Sequence, residues 1–179
     1  CDKCNKCIPI RISIDQFSPS KTQRRIYKKL NPLLSSFYEK LSYNDEHFNL
    51  YSSYQKKRHP TNKIDSISKE NYKKFLLESN VNTEIFSFRN HKNDLKIICI
   101  LDILVDGLSS FYTFYDPDEL KSSLGTYSIL WQIEECKRRK KSFLYLGYWI
   151  KQSKKMSYKA KFRPYQILID GKWTSVNEL

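Results

Sequence analysis

A change of hydrophobic period near Val81 constrains this chain more than any other feature. Before it, Ile26, Leu30, Leu33, Leu34, Phe37 and Leu41 form a helical stripe from Lys21 onward, with Pro32 placed to kink or divide it. Asn44-Asp45 offers a cap for a second helix through Phe48, Leu50, Tyr51 and Tyr54 that ends near Arg58-His59-Pro60. Ser66 to Asn80, with Tyr72, Phe75, Leu76 and Leu77, reads as a third helix. Beyond Val81 the runs Thr83–Arg89, Leu95–Val105, Leu108–Tyr115 and Phe143–Ile150 are β-branched and aromatic, broken by turn formers, and predict a sheet. Gly125 to Lys141 is a helix between the last two strands, ending on KRRKK, which suits a helix C-terminus. A short strand at Ile8–Ile12 and a turn at Phe17–Ser20 precede all of these. Helices first, then strands with one interposed helix, predict an α+β fold in one compact unit. A chain of 179 residues, 40% hydrophobic, can bury one good core.

Charge narrows the partners. A net charge of +13 attracts polyanions, although Lys-rich composition by itself reads equally as a solvated surface. No run of about 18 apolar residues could cross a bilayer and no signal-peptide core is seen, so a cytoplasmic protein without a membrane partner is expected; a monomer is the expected state. The abrupt start at Cys1, without Met, reads as the point where an upstream segment was removed. Five cysteines, three of them in the first seven residues, do not form a secreted disulfide framework. Cys1, Cys4 and Cys7 have the C-x2-C-x2-C spacing that converges thiolates on zinc or an iron-sulfur cluster, or they form a reduced thiol cluster. A metal would need a fourth ligand from upstream, from Cys99 or Cys136, or from a His, and Cys99 and Cys136 sit in apolar contexts typical of buried small hydrophobes.

Several short stretches carry candidate chemistry. Lys21, Arg24 and Arg25 concentrate charge at the start of the first helix, beside Tyr27, as a solvated face or as a contact for phosphates and an unpaired base. Arg58-His59 at a helix end satisfies carbonyls or binds a ligand. In DGLSSFYTFYDPDELKSSL, alternation puts Ser110, Tyr112 and Phe114 on one side and Phe111, Thr113 and Tyr115 on the other. The strand runs into Asp116-Pro117-Asp118, whose carboxylates could hold an ammonium or accept a proton, or simply make a turn. Ser123-Leu124-Gly125 then opens a helix whose N–H groups favour a phosphate or a developing oxyanion. Gly147 in LYLGYWI marks a bulge or a close approach by a ligand, and Lys155, Lys159, Lys161 and Arg163 surround Tyr158.

Taken in order, CIPIRI, SPSKTQRR, RH, DGLSSFYTFYDPD, SLGTYSILWQI, LYLGYWI and KMSYKAKFRP resemble the aminoacyl-tRNA-protein transferases: the eukaryotic arginyltransferases and, more closely, the bacterial aspartate/glutamate leucyltransferases. The resemblance implies an N-acetyltransferase-like fold with a mixed, mainly antiparallel sheet over residues 81–179, preceded by a Cys-containing helical region over 1–80. It implies transfer of an amino acid, leucine first and arginine as the alternative, from aminoacyl-tRNA to proteins with N-terminal Asp or Glu, in the N-degron pathway. The family pattern carries a further N-terminal segment with its own Cys motif ahead of Cys4 and Cys7, which is absent here. The ester donor is already activated and an α-amino group of pKa about 7.7 to 8.0 is partly neutral, so the transfer needs no cofactor and no covalent nucleophile. Alignment can supply roughly 7 to 11 kcal/mol and oxyanion donors about 3 to 4.

On that reading Asp116 and Tyr112, with Asp118, position the amine, and Arg11, Arg58 and His59 are candidates for the acceptor's acidic side chain. Ser123, Leu124, Gly125 and Thr126, with Lys21, Arg24, Arg25, Lys159 and Arg163, face tRNA, while Cys4 and Cys7, with Cys1, are the metal candidates. The rival class is a non-catalytic RNA-binding or metal-sensing module, which charge and cysteines alone would explain.

Overall fold

The computed structural model describes residues 6–58, 67–78 and 80–176. In chain order they form β1 (Ile8–Ser13), α1 (Lys21–Leu30), β2 (Ser35–Glu39), α2 (Asp45–Arg58), α3 (Lys69–Leu77), β3 (Thr83–Arg89), β4 (Leu95–Ile103), β5 (Gly107–Tyr115), α4 (Leu124–Arg138), β6 (Phe143–Trp149), β7 (Tyr165–Ile169) and β8 (Lys172–Val176). Short 3-10 turns occupy Asn31–Leu33, Pro117–Ser122 and Ser157–Lys161.

One eight-stranded sheet runs β2-β3-β4-β5-β6-β1-β7-β8. Every neighbouring pair is antiparallel except β5 and β6, which are parallel and are joined by α4 as the crossover that parallel strands require. The α+β class and the mixed, mainly antiparallel sheet are therefore as expected. The sheet draws on both sides of the expected boundary at residue 80, since β1 and β2 lie before it. Against one face pack α1 and α4, burying Ile10, Ile12, Phe88, Ile97, Cys99 and Leu108 beneath Leu30, Tyr127, Leu130 and Ile133. Against the other face, Tyr72 and Leu76 of α3, with the rings of α2, cover Ile85, Ile98, Ile100 and Phe114. With both faces of β4 covered, LKIICILDI reads as an almost unbroken apolar run. No helix among the described residues is long and apolar enough to cross a membrane.

Three expectations change. The first helix stops at Leu30, and Ser35–Glu39 is an edge strand rather than its continuation to Leu41. Pro32 has no N–H to continue the helical ladder and the chain passes from α1 into the Asn31–Leu33 turn, so the apolar spacing across it is accidental, and Phe37 and Tyr38 end up 49% and 64% exposed. The terminal hairpin β7–β8 escaped the strand pattern, although Asp170 and Gly171 (φ 47° and 75°) form the two-residue turn that an Asp-Gly pair favours. Finally, Cys7 is exposed immediately before β1, so the described part of the Cys-containing segment leads into a strand and not a helix, while Cys1 and Cys4 lie outside the described residues.

Alternation in β5 is broken by a bulge. Ile100 pairs with Tyr112 but Leu101 pairs with Ser110, leaving Phe111 without a counterpart. Phe111 and Tyr112 consequently both meet the Phe75 ring of α3, at 5.1 and 5.2 Å between centroids, instead of pointing to opposite faces.

The end of α4 is fixed to β3 by charge. Glu135, only 5% exposed, accepts from Arg138 Nε (2.8 Å) and Arg139 Nε (2.5 Å), and Arg139 also reaches Glu84 (2.6 Å). Burial pushes the Glu135 carboxyl up, but hydrogen bonds from Arg138 and Arg139 outweigh it and hold the group below the usual carboxylate range. Such stabilisation is present above the unfolded-state pKa and is lost as pH falls through the lower folded value. Glu135→Gln should therefore cost about 2 kcal/mol at pH 7, and the gap to the parent should be narrower at pH 3, as read from denaturant midpoints at both pH values. An equal gap at both would rule out the ionised pair as the cause.

Candidate active site

The parallel ladder between β5 and β6 is short. Gly107, Leu108 and Ser109 pair with Phe143, Leu144 and Tyr145 and the pairing stops, although β5 continues to Tyr115 along β4 and β6 to Trp149 along β1. The two strands part toward their C-terminal ends. At the apex a side chain on Gly107 would place its Cβ 2.5 Å from the Phe143 carbonyl oxygen, so only glycine lets the strands close there.

Above the open end lies the start of α4. Asp116 caps the Pro117–Ser122 turn, Ser123 takes a left-handed conformation (φ 62°), and its carbonyl accepts from Thr126 and Tyr127 N–H, both at 3.0 Å. Leu124 is buried, and Gly125 leaves room for Tyr115: a Cβ there would lie 3.1 Å from the ring. Tyr115 in turn meets Tyr54 of α2 edge-on at 5.0 Å. Burial holds the Tyr54 and Tyr158 phenols above their ordinary range, with Tyr115 adding and Arg58 opposing, so both are neutral at pH 7.

Beside these rings opens a cleft of 330 Å³ lined by Tyr54, Lys57, Arg58, Pro117, Lys154 and Lys155. Its cations come from two elements, the last turn of α2 and the turn after β6. Lys159 secures the second of these. Its ammonium donates to the Leu146 and Tyr148 carbonyls, both at 2.7 Å, thereby straddling Gly147 (φ 72°), and burial lowers its pKa. The arrangement can hold an anion over an aromatic floor, beside a helix start whose dipole favours negative charge.

The expected site residues are distributed unevenly around it. Arg58 lines the cleft, and Asp118, exposed, pairs with Lys57 of the same wall. Asp116 sits one residue before Pro117, with Oδ2 accepting from Lys96 (2.9 Å) and Oδ1 from the Asp118 N–H (3.0 Å). Burial raises its carboxyl, but Lys96 and that N–H prevail and keep it below the usual range, hence ionised at neutral pH. Tyr112 lies in the aromatic layer, its oxygen accepting from Gln55 Nε2 (2.8 Å) and its phenol pushed up to about 12 by burial. Arg11 is elsewhere on the sheet, its guanidinium between Phe143 (3.5 Å) and Trp173 (4.2 Å) and donating to Gln166 (2.7 Å) and Tyr145 (3.1 Å). Lys21, Arg24 and Arg25 are exposed on α1, and Arg163, exposed, accepts from Ser18 N–H through its carbonyl (3.4 Å). His59 lies outside the described residues.

Of the metal candidates, Cys7 alone is described. Cys99 and Cys136, weighed as a fourth ligand, lie in the core between α4 and the sheet, their thiols pushed up to about 12 by burial. Neutral and enclosed, they are core residues and not ligands for the exposed Cys7 segment.

Sequence reasoning missed Tyr54 as floor, with Tyr115 packed against it, and Lys57 and Lys154 as walls. A signal existed for part of it: Tyr54, Lys57 and Arg58 fall at i, i+3 and i+4, one face at the end of α2. Nothing local ties that face to Lys154 and Lys155, about a hundred residues later in the chain.

Residues 46–169 match the family described as arginine-tRNA-protein transferase, C terminus. The chain is 44% identical over 181 residues to the aspartate/glutamate leucyltransferase of Polynucleobacter asymbioticus, covering 98% of this chain and 73% of the relative. To the protein of the same name from Nitrosospira multiformis it is 44% identical over 179 residues, covering 100% and 70%. Among solved structures, L-PGS from Bacillus licheniformis superposes with a TM-score of 0.62 at 11% identity (90% of this chain, 60% of that one). FemX superposes with a TM-score of 0.63 at 8% identity (89% and 59%). These two share the fold. With a family match over most of its length and relatives of such identity across nearly all of it, the chain belongs to the arginine-tRNA-protein transferase family.

Proposed function

We propose that this protein transfers leucine from aminoacyl-tRNA to the N-terminal Asp or Glu of acceptor proteins, marking them for degradation through the N-degron pathway. The observation that carries the reading is the cationic, tyrosine-floored cleft where β5 and β6 part, in a chain 44% identical to aspartate/glutamate leucyltransferases. Parallel strands splayed beneath the start of their crossover helix also support reading the fold as N-acetyltransferase-like.

In this mechanism Lys154 and Lys155 take phosphates at the tRNA terminus, and Tyr54 with Tyr158 gives its unpaired bases a stacking surface. Arg58 grips the acceptor's carboxylate, which a planar guanidinium can do through two parallel hydrogen bonds. Asp116 and Asp118 hold the acceptor's amine at the rim, and Tyr112 keeps α2 in place through Gln55, the neighbour of Tyr54. The neutral amine attacks the ester carbonyl, the new C–N bond forms as the C–O bond to the ribose breaks, and the proton lost by nitrogen ends on the ribose oxygen. The Leu124-Gly125-Thr126 helix start faces the oxyanion of that step.

The family description favours arginine as an alternative donor. Electrostatics in the cleft disfavours it, because Lys57, Arg58, Lys154 and Lys155 would repel a guanidinium that leucine does not carry.

Labelled leucine from Leu-tRNA should reach a peptide beginning with Asp faster than labelled arginine from Arg-tRNA. The reverse order would assign arginine, and no transfer from either, together with tight tRNA binding, would favour a non-catalytic module. Arg58→Gln should reduce the preference for Asp-initiated over Ala-initiated peptides by about tenfold or more, the worth of a charge-assisted hydrogen bond. Arg11→Gln should keep the preference but lower stability by about 1 to 2 kcal/mol, through its lost aromatic sandwich and hydrogen bonds. If instead Arg11→Gln erases the preference and Arg58→Gln spares it, the acceptor site lies on the β1 side of the sheet.

A further inference from the structure

We infer that the outer face of α1 is a second phosphate-binding surface, on which the backbone of the tRNA's paired stem lies while its single-stranded end enters the cleft. The inference rests on the transfer reaction proposed above and adds where the body of the donor is held. In α1, KTQRRIYKKL, the residues Lys21, Arg24, Arg25, Lys28 and Lys29 recur at i, i+3, i+4, i+7 and i+8 and so share one face. All five are exposed and together line a shallow depression. The other side of the helix is committed to the protein: Leu30 is buried, Tyr27 meets Tyr127 at 5.7 Å, and Gln23 Nε2 donates to the Lys161 carbonyl (3.0 Å).

Among the described residues none of the five cations forms an ion pair. Elsewhere Lys57, Lys69, Arg89, Lys96, Lys137, Arg138 and Arg139 each hold a carboxylate. Repulsion at i, i+3 and i+4 is thus left uncompensated, and the first turn of α1 contains no acidic residue. Lys28 and Lys29 suit the negative end of the helix dipole, but Lys21 and Arg24 stand at its positive end, where cations are disfavoured. The negative charge of an external polyanion offsets both costs, and release of its condensed counterions adds to the binding. An acidic protein surface fits less well, since α1 exposes no large apolar side chain and protein interface cores are depleted in lysine.

Continuity with the cleft supplies the second argument. The 3-10 turn Ser157–Lys161 follows Lys154 and Lys155 of the cleft wall and touches α1 through Gln23 and Lys161. Arg163 lies next, its carbonyl bonded to Ser18 just before the helix. A cationic track therefore runs from the cleft past Lys161 and Arg163 to α1, which suits one long anion more than two separate ones.

The test neutralises Lys21, Arg25, Lys28 and Lys29 to Gln together, sparing Arg24, which donates to the Pro19 carbonyl (2.6 Å). Binding of uncharged tRNA is titrated between 50 and 300 mM salt, beside a control with Lys40, Lys92 and Lys172, exposed elsewhere, changed to Gln. The α1 variant should bind roughly 100-fold more weakly at 150 mM salt, with the slope of log affinity on log salt reduced by about 3 to 4, while the acceptor-peptide KM holds. A circular-dichroism melt matching the parent establishes that the variant folds, and Arg25→Gln alone, reducing the slope by about 1, serves if it does not. Unchanged tRNA affinity, an equal loss in the control, or a loss confined to the acceptor peptide would each overturn the inference. Failure of leucine transfer with the slope change intact would sink the proposed reaction and leave the α1 surface standing as an RNA-binding face.

Discussion

Three residue pairs between β5 and β6 set the geometry on which the candidate site depends. Parallel pairing brings the strands together at Gly107 and Phe143, and the crossover through α4 forces that helix to begin above their C-terminal ends. Because each strand then follows an antiparallel neighbour on its other side, β5 with β4 and β6 with β1, the two are drawn apart. The gap is a product of competing ladders, and it positions a helix start, an aromatic floor and two cationic walls around one space. A larger residue at Gly107 would strike the Phe143 carbonyl and disturb the apex from which all of this is measured.

Charge is organised on the same plan. Where carboxylates are available, cations are consumed internally: Lys96 by Asp116 and Glu119, Arg139 by Glu84 and Glu135. Arg11 is consumed differently, between two aromatic rings on the sheet. Exposed lysines such as Lys40, Lys92 and Lys172 are scattered elsewhere, but two concentrations stand out, the α1 face and the cleft, so part of the positive charge visible in composition is spatially sorted. Sorted charge is what lets a basic protein attract one polyanion in one orientation.

Much of the secondary structure was legible because apolar periodicity survives wherever an element has one buried face. The strands from Thr83 to Tyr115 and helix α4 appear close to where their patterns put them. Legibility failed where the pattern was ambiguous or interrupted. Leu33, Leu34 and Phe37 continue a helical spacing across Pro32 by chance, and the bulge at Phe111 turns two consecutive aromatics toward the same helix, which no alternation rule anticipates. Candidate site residues show the same limit. Arg11 and Arg58 looked alike as guanidinium candidates for the acceptor's carboxylate, yet one is built into a stack and the other lines the cleft.

By itself the sequence determined the α+β class, the order of most elements, the basic character and, through its ordered motifs, the family resemblance, since these depend on local pattern and residue identity. Only the tertiary structure decided which residues share a space. Tyr54, Tyr115, Lys154 and Lys155 are brought together by strand order and by a splay between strands that pair for only three residues. Pairing partners are chosen by long-range burial, and no local periodicity encodes which strand will lie beside which.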